Sequence, residues 1–214
     1  MISALNNSNL NTGSEITDTT NSGKEQELNK ISCQILQQCV NLLLSLPSNE
    51  TYTWKSKFIP TSTIGRHVRS IAKENIINGS ASTDIDNSDV KWTVNYDDRK
   101  SQVTETSFTF AVQQIIELQN ILLNSFQNKS LLLAPIQLEA IIDSNPKVKP
   151  MNFSTTFGRE LWFCCLHAIH HYALIRVICC EQNIPCPDEF GVAPSTLKRF
   201  RSREVGDDYT NDIS

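Results

Sequence analysis

The sequence predicts an all-α fold, a four-helix bundle with long connections between its helices and a disordered N-terminal tail. Four stretches carry apolar side chains near the 3.6-residue period of an α-helix, and at least two of the connections between them are long. The chain of 214 residues has only 7 glycines, and none form a glycine-rich phosphate loop. These features are typical of a helix bundle. We predict the bundle over residues 25–200, between disordered tails at 1–24 and 201–214.

The first predicted element is a helix over residues 24–46. Leu28, Ile35 and Leu43 recur near helical spacing, and the segment LPSNE ends the pattern. The residues before it are rich in Asn, Ser and Thr and hold few large apolar side chains. Such a segment cannot bury enough surface to offset the entropy of ordering it, so we expect a disordered tail.

The second predicted helix is TSTIGRHVRSIAKENII, residues 61–77, in which Ser62 or Thr63 is the expected N-cap and His67 lies on the apolar side. A polar connection follows, and connections of that length are usually functional or loosely ordered. The third helix is predicted over TETSFTFAVQQIIELQNILLNSF, residues 104–126, with Thr104 or Thr106 as its cap.

The remaining elements are a hairpin, a loop and a fourth helix. LLLAPIQLEAIID, residues 131–143, alternates enough for a short hairpin interrupted by Pro135, and NPKVKPMNFS is expected to be a loop. The fourth helix runs from Ser154 or Thr155 to about Asn183. The proline-containing segment IPCPDEFGVAPST cannot be helical and is expected to pack back over the bundle before STLKRF forms one last turn.

Charge and cysteine usage restrict the partners and the compartment. The net charge is −4, from 19 basic and 23 acidic residues, and no basic face stands out, which argues against nucleic acid. No apolar run reaches the roughly 18 to 20 residues that span a bilayer, so we expect no membrane partner. The 7 cysteines are odd in number and lack C-x-x-C spacing, which is typical of free thiols in a reducing compartment. We therefore predict a cytoplasmic protein.

Histidine is scarce in this chain, yet three of the 4 histidines lie within RELWFCCLHAIHHYALIRVICCEQNIP, residues 159–185. His167 and His171 are separated by one helical turn, so their imidazoles can lean together onto one ion. His67, on the apolar face of the second helix, is a possible third ligand, and three imidazoles with a water are a common zinc environment. The alternative is that these histidines are satisfied polar side chains on buried helices.

Four motifs, TSTIGRHVRSI, VNYDDR, GRELWFCCLHAIHHYALI and IPCPDEFGVAPSTLK, resemble the DinB-like superfamily of metal-binding four-helix bundles, which includes the YfiT-like thiol S-transferases. The resemblance runs from about residue 26 to residue 200. It implies a metal site formed by His67, His167 and His171. It also implies a divalent metal ion as cofactor, zinc or nickel, with open positions for water or for a low-molecular-weight thiol.

Further side chains near this predicted site have open roles. His170 is either an outer group or an alternative ligand. Glu160 could accept a hydrogen bond from a ligating imidazole, although an exposed glutamate is equally usual there. Cys164 could ligate the metal through C-x-x-H spacing, and the simpler reading is a buried thiol. Asp97 and Arg99 could reach the mouth of the site, and a charged turn is the simpler account.

Two functions follow from these expectations. The first is a divalent-metal-dependent enzyme that performs thiol transfer or hydrolysis on a small-molecule substrate, because an ion held by neutral histidines ionises a bound water or thiol. The alternative is a non-enzymatic, metal-stabilised binding or dimerisation module, since apolar faces on long helices suit a homodimer. The sequence assigns no catalytic residue.

Overall fold

In the computed structural model of the protein, residues 14–72, 81–82, 91–95, 103–125, 131–145 and 147–207 are described. These residues are mostly helical, as predicted, and they also form a small sheet. In chain order the elements are α1 Ser14–Ser45, α2 Asn49–Thr53, α3 Ile64–Ala72, β1 Ala81–Ser82, β2 Lys91–Asn95, α4 Val103–Thr106, α5 Phe108–Ser125, β3 Pro135–Ala140, β4 Met151–Thr156, α6 Phe157–Glu181 and α7 Pro194–Asp207.

The core lies between α1, α3, α5 and α6, and each of α1 and α3 contacts both α5 and α6. Buried side chains from all four helices form one continuous apolar cluster. Two fully buried tyrosines place a hydroxyl group in this cluster, and each hydroxyl donates a hydrogen bond. Tyr172 on α6 donates to the carbonyl of Ile35 on α1 at 2.8 Å, and Tyr52 on α2 donates to the carbonyl of Thr104 at 2.5 Å. These hydrogen bonds offset the cost of burying a hydroxyl group and fix which helices are neighbours.

The sheet corrects the prediction for the connections. Its strand order is β1-β2-β3-β4, with β2 and β3 parallel and the other pairs antiparallel. A hairpin was expected within residues 131–143, but the structure has the single strand β3 there, and this strand begins at Pro135. Its partner β4 lies largely in the stretch predicted as a loop, and β2 lies in the long polar connection. Pairing between β2 and β3 joins Trp92 to Ile136, far apart in sequence. Periodicity within a short window carries no information about such a distant partner.

Helix α3 begins where the sequence predicted, with Thr63 as its N-cap: the Thr63 hydroxyl accepts a hydrogen bond from the backbone N–H of Arg66 at 3.0 Å. It then packs against α4. A methyl group added at Gly65 would lie 2.1 Å from the carbonyl oxygen of Glu105 and 2.9 Å from the ring of Tyr52. The absent side chain therefore allows the close approach of these two helices.

Helix α6 was predicted to begin at Ser154 or Thr155 and begins at Phe157, with Thr156 as its N-cap: the Thr156 hydroxyl accepts from the backbone N–H of Arg159 at 3.4 Å. Residues 184–193 are not helical and cross back over α6, as expected, whereas Pro194, Ser195 and Thr196, which were also expected to be non-helical, form the start of α7. Phe190 stacks on Tyr172 with ring centroids 4.7 Å apart. Gly191 has φ of 75° and leaves no room for a side chain against the backbone of Ala173.

The ends of the chain differ from the predicted elements. Helix α1 begins at Ser14, within the stretch expected to be disordered, and α7 extends from Pro194 to Asp207 instead of forming a single turn. The short helix α2 was not predicted. The domain boundaries at residues 25 and 200 stay a prediction.

By length and composition alone, α6 is apolar enough to cross a membrane, and it is the one such helix in the described ranges. This differs from the expectation that no stretch of the sequence reaches that length. The observation is weak evidence, because a core helix of a soluble protein meets the same criterion. Here α6 packs against α1 and α3. The absence of a membrane partner stays a prediction.

The close approach at Gly65 predicts a large effect on stability. We expect Gly65→Ala to lower the free energy of unfolding by about 2 to 3 kcal/mol, because the new methyl group meets a backbone carbonyl that cannot move away easily. The matched control is Gly23→Ala on α1, where the added methyl group meets nothing within 4 Å. This control should raise the free energy of unfolding by about 0.5 to 1 kcal/mol through helix propensity. Urea unfolding measures both, and equal effects would contradict the packing argument.

Candidate functional site

The four histidines gather where α3 faces α6. Nδ1 of His67 lies 2.9 Å from Nδ1 of His171, and the two ring centroids are 5.1 Å apart. The ring of His171 is also 4.5 Å from that of His167 and 5.5 Å from that of His170. The structure thus brings together residues from two segments a hundred positions apart in the sequence. Helix α3 supplies one imidazole and consecutive turns of α6 supply the others.

A chain of hydrogen bonds runs through the two most buried imidazoles. Nε2 of His67 lies 2.5 Å from the hydroxyl of Ser62, and Nδ1 of the same ring pairs with His171. If the Ser62 hydroxyl donates, His67 donates onward from Nδ1, and His171 carries its proton on Nε2. If instead Nε2 of His67 donates to the Ser62 hydroxyl, His171 donates from Nδ1 to Nδ1 of His67, and Nε2 of His171 has a lone pair. In either case this Nε2 atom is buried with no hydrogen-bond partner in the part of the chain that the structure describes.

The interpretation of these residues as a metal-binding histidine triad is wrong. Among the described residues there is no group of three or more His, Cys, Asp or Glu side chains that could hold a metal ion. The geometry gives the physical reason, because both ring nitrogens of His67 are engaged, one with Ser62 and one with His171. Helical spacing predicts which rings are neighbours, but it does not predict which ring atoms face one another. As placed, the described residues form no three-ligand site for the implied ion.

Burial keeps both imidazoles in their neutral form. Desolvation, followed by the charge of His170, lowers the pKa of His67 from 6.5 to about 4. Desolvation together with the three neighbouring imidazoles lowers the pKa of His171 from 6.5 to about 3. Because the four imidazoles stand close together, a second positive charge in the cluster is disfavoured. At neutral pH the pair therefore acts as a set of uncharged hydrogen-bond donors and acceptors.

An aromatic ladder extends from this pair along α6, and it consists of Arg159, Phe163, His167 and His170. The guanidinium of Arg159 lies 5.2 Å from the centre of the Phe163 ring. Phe163 stacks on His167 at 5.8 Å, and His167 stacks on His170 at 6.1 Å with an angle of 11° between the rings. These residues follow one another at i, i+4, i+8 and i+11, so they occupy one stripe of the helix. His170 is exposed, and the other three are half-buried or exposed.

Glu160 does not have the role that the sequence suggested. Its side chain is 0% exposed, which excludes the reading as a solvated glutamate. Its carboxylate accepts from Thr155 at 2.7 Å and from Arg159 at 2.8 Å, in the first turn of α6. It lies about 10 Å along the helix axis from His167. Its negative charge at the helix N-terminus stabilises the start of α6.

Cys164 is buried and lines a small apolar cavity of about 30 Å³ between α1, α3, α5 and α6, together with Ile35, Leu36 and Ala168. A space of this size holds about one water molecule. The cavity lies in the apolar core, which favours the simpler reading of Cys164 as a buried thiol. Asp97 and Arg99, which were expected near the mouth of the site, lie outside the described residues.

Comparison with known proteins finds a relative outside the DinB-like superfamily. The chain is 32% identical over 171 residues, 79% of its length, to FK506-binding protein 5 of Rhizopus delemar. The chain spans 37% of the length of that relative. No family model matches the chain, and no solved structure matches it.

The resemblance to the DinB-like superfamily is therefore wrong, because the matching relative is an FK506-binding protein and no family model supports the DinB-like motifs. The two functions expected from the sequence are therefore wrong as well. These are the metal-dependent thiol transfer or hydrolysis and the metal-stabilised module. The four motifs are short. Two of them owe their residues to local packing: TSTIGRHVRSI contains the α3 cap and its close contact, and IPCPDEFGVAPSTLK contains the segment that covers α6.

Sequence reasoning missed two parts of this site. Ser62 was considered only as a helix cap, although its hydroxyl contacts His67. Phe163 and Arg159 were not considered at all. Their signal was available, because Arg159, Phe163 and His167 recur every four residues. A metal site gives no reason to single out an arginine or a phenylalanine, because neither side chain is a usual ligand of a divalent metal ion.

The lowered pKa values of His67 and His171 predict a loss of stability in acid. Below pH 6.5 the unfolded chain binds protons that the folded chain does not, so the free energy of unfolding falls as the pH falls from 6.5 toward 4. After allowance for solvent screening we expect a fall of about 2 kcal/mol from these two groups.

Urea unfolding at pH 7.5 and pH 4.5 measures this effect. The double variant His67→Gln and His171→Gln should lose less stability between the two pH values than the native chain does. The variant His170→Gln removes one of the neighbouring charges that lower the two pKa values, so its loss of stability should be slightly smaller than that of the native chain and larger than that of the double variant. The same acid sensitivity in the double variant would contradict the assignment to these two rings.

Proposed function

We propose that the chain is a binding module with a chaperone-like or peptidyl-prolyl isomerase function, and that its ligand is FK506 or a proline-containing polypeptide segment. The observation that carries the proposal is the 32% identity over 171 residues to a protein named for binding FK506. Because the chain spans 37% of that relative, the activity of a whole protein of this kind is part of the proposal.

The aromatic character of α6 supports the proposal. Beside Phe163 and His167 of the ladder, Trp162 is 52% exposed and Leu166 is 38% exposed. We call these four residues together with His170 the α6 surface. Aromatic side chains pack well against proline rings and other rigid apolar groups, and they are the usual anchors of binding sites. A ligand that stacks here would cover apolar area that is now in water.

Polar groups beside the α6 surface supply the second part of a binding site. Nε2 of His171 is buried and has no partner among the described residues. When the side chains that cover this atom move aside, a carbonyl or amide group of a ligand would satisfy it, whichever tautomer the ring has. Because the lowered pKa keeps this imidazole neutral at pH 7, it suits an uncharged ligand such as a macrocycle or a peptide backbone.

The size of the enclosed cavity favours binding at the surface. Sites for drug-sized ligands have volumes of about 300 to 1,000 Å³. The cavity beside Cys164 offers about 30 Å³, so a macrocycle or a peptide cannot enter it. The proposed ligand therefore binds at the surface, and we assign it to α6 because of the exposed Trp162 and the half-buried Phe163.

Further expectations belong to this proposal or stay predictions. We infer that α1, α3, α5 and α6 form a four-helix bundle, which their mutual contacts support. The homodimer, the cytoplasmic location and the absence of a nucleic-acid partner stay predictions. The cofactor prediction, a zinc or nickel ion with a low-molecular-weight thiol, is likewise a prediction that elemental analysis of the purified protein tests.

Ligand titration tests the proposed function. We expect FK506 to bind the full chain, measured by calorimetry, and a proline-containing peptide to compete with it. Phe163→Ala and Trp162→Ala should each weaken binding about 10-fold, as the loss of an aromatic anchor does. The matched control is Phe200→Ala on α7, which removes a ring that is 47% exposed and distant in sequence from the α6 surface.

A second assay separates binding from catalysis. The rate of cis–trans exchange in a proline-containing peptide is followed by NMR with and without the chain. Acceleration that Phe163→Ala reduces supports an isomerase, and binding without acceleration supports a chaperone-like module. A chain that neither binds FK506 nor the peptide, while remaining folded by circular dichroism, contradicts the proposal.

A further inference from the structure

Two cysteine thiols meet where α6 ends. Cys179 lies in the last turn of the helix and is fully buried. The chain then turns back, and the N–H of Ile184 donates to the carbonyl of Cys179 at 2.8 Å. This turn brings Cys186 back to the helix, where its sulfur and that of Cys179 are hydrogen-bonded partners. The two residues that the turn pairs are seven positions apart.

The surroundings of the two thiols differ. Cys179 is enclosed in the core, whereas Cys186 is half-buried and lines an open groove of about 530 Å³. The groove lies between α1 and the segment after α6, and Leu42, Pro187 and Phe190 also line it. A small molecule in solution can therefore reach Cys186, and Cys179 lies behind it.

A fixed positive charge stands beside this pair. Arg176, one turn before Cys179 on α6, donates to the carbonyl of Asp188 at 2.7 Å and to the carbonyl of Phe190 at 3.3 Å. These bonds hold the guanidinium over the segment that contains Cys186. The hydrogen bond from Cys179 and the charge of Arg176 lower the pKa of Cys186 from 9.0 to about 7 against the effect of burial. The same hydrogen bond and burial raise the pKa of Cys179.

We propose that Cys186 is an oxidation site, a reactive thiol that takes a hydroperoxide as its substrate and that Cys179 resolves as an intramolecular disulfide. In the first step the Cys186 thiolate attacks one oxygen of the hydroperoxide. The O–O bond breaks, the sulfur becomes a sulfenic acid, and the leaving oxygen takes up a proton as an alcohol or as water.

In the second step Cys179 attacks the sulfur of the sulfenic acid. The S–S bond forms, the S–O bond breaks, and the hydroxide leaves as water with the proton of Cys179. Overall, two thiols lose two hydrogens, and the hydroperoxide is reduced to an alcohol and water. Once Cys186 is oxidised, its thiolate no longer accepts the hydrogen bond from Cys179. The main cause that raises the pKa of Cys179 is then removed, which favours the second step.

The neighbouring Cys180 provides the comparison. It is exposed and follows Cys179 directly in the sequence, but it points about 100° away around the helix. Exposure alone would make Cys180 the first thiol to react. The proposal instead predicts that the half-buried Cys186 reacts first, because the hydrogen bond and the arginine favour its thiolate.

Alkylation kinetics test the reactivity of Cys186. The full, folded chain is treated with iodoacetamide at pH 7, and each cysteine is quantified by peptide mass spectrometry. Cys186 should react about 10-fold faster than Cys180, because more of it is thiolate although each thiolate is a weaker nucleophile. The conservative variant Arg176→Lys should keep most of this advantage, and Arg176→Gln should reduce it. A rate for Cys186 no higher than that for Cys180 overturns the proposal.

Peroxide treatment tests the disulfide. With hydrogen peroxide at pH 7, the native chain and the Cys180→Ser variant should lose two hydrogens, located to a link between the peptides of Cys179 and Cys186. Cys186→Ser should not form this link. Cys179→Ser, whose hydroxyl can still donate a hydrogen bond to Cys186, should stop at a sulfenic acid on Cys186 that dimedone traps. A link between other cysteines, or an unreacted Cys186 in folded Cys179→Ser protein, overturns the proposal.

Discussion

The close approach of α3 to α4 at Gly65 is the constraint on which the rest of the site depends. A side chain at this position would collide with the backbone of Glu105, so only glycine allows the two helices this separation. Ion pairs from Arg66 and Arg69 to Glu105 lie along the same contact. With α3 held in this way, its apolar face and His67 are directed at α6. The histidine cluster is thus a consequence of a backbone contact on the opposite side of α3.

Burying several imidazoles requires that they satisfy one another, and the structure meets most of that requirement. Ser62 and His171 engage both nitrogens of His67, while stacking on Phe163 covers part of His167. An uncharged cluster is the cheapest form in a low-dielectric environment, because a buried charge without a partner costs several kcal/mol. The remaining unpaired atom, Nε2 of His171, is buried, and the His171 ring lies 5.5 Å from the ring of His170 in the aromatic ladder.

Helix α6 serves several purposes at once, which explains its composition. One side is buried against α1 and α3, with Tyr172 at its centre, and another carries the aromatic ladder. Its last turns hold the segment after the helix through Arg176 and Cys179. A helix with so many contacts is apolar over most of its circumference. For this reason its length and composition resemble those of a membrane span although the helix lies in a core.

The sequence by itself determined the main helices α1, α3, α5 and α6 and the N-cap of α3. Their apolar periods and this cap depend on residues within a few positions of one another, so a local reading finds them. The start of α1 at Ser14, the short helix α2 and the break between α4 and α5 were not predicted. It also predicted that His67, His167 and His171 lie on helix faces. Only the tertiary structure decided which atoms of these rings face each other, that β2 pairs with β3, and that Cys179 meets Cys186. Those contacts join distant parts of the chain, and their geometry is set by how whole helices pack and by where the backbone turns.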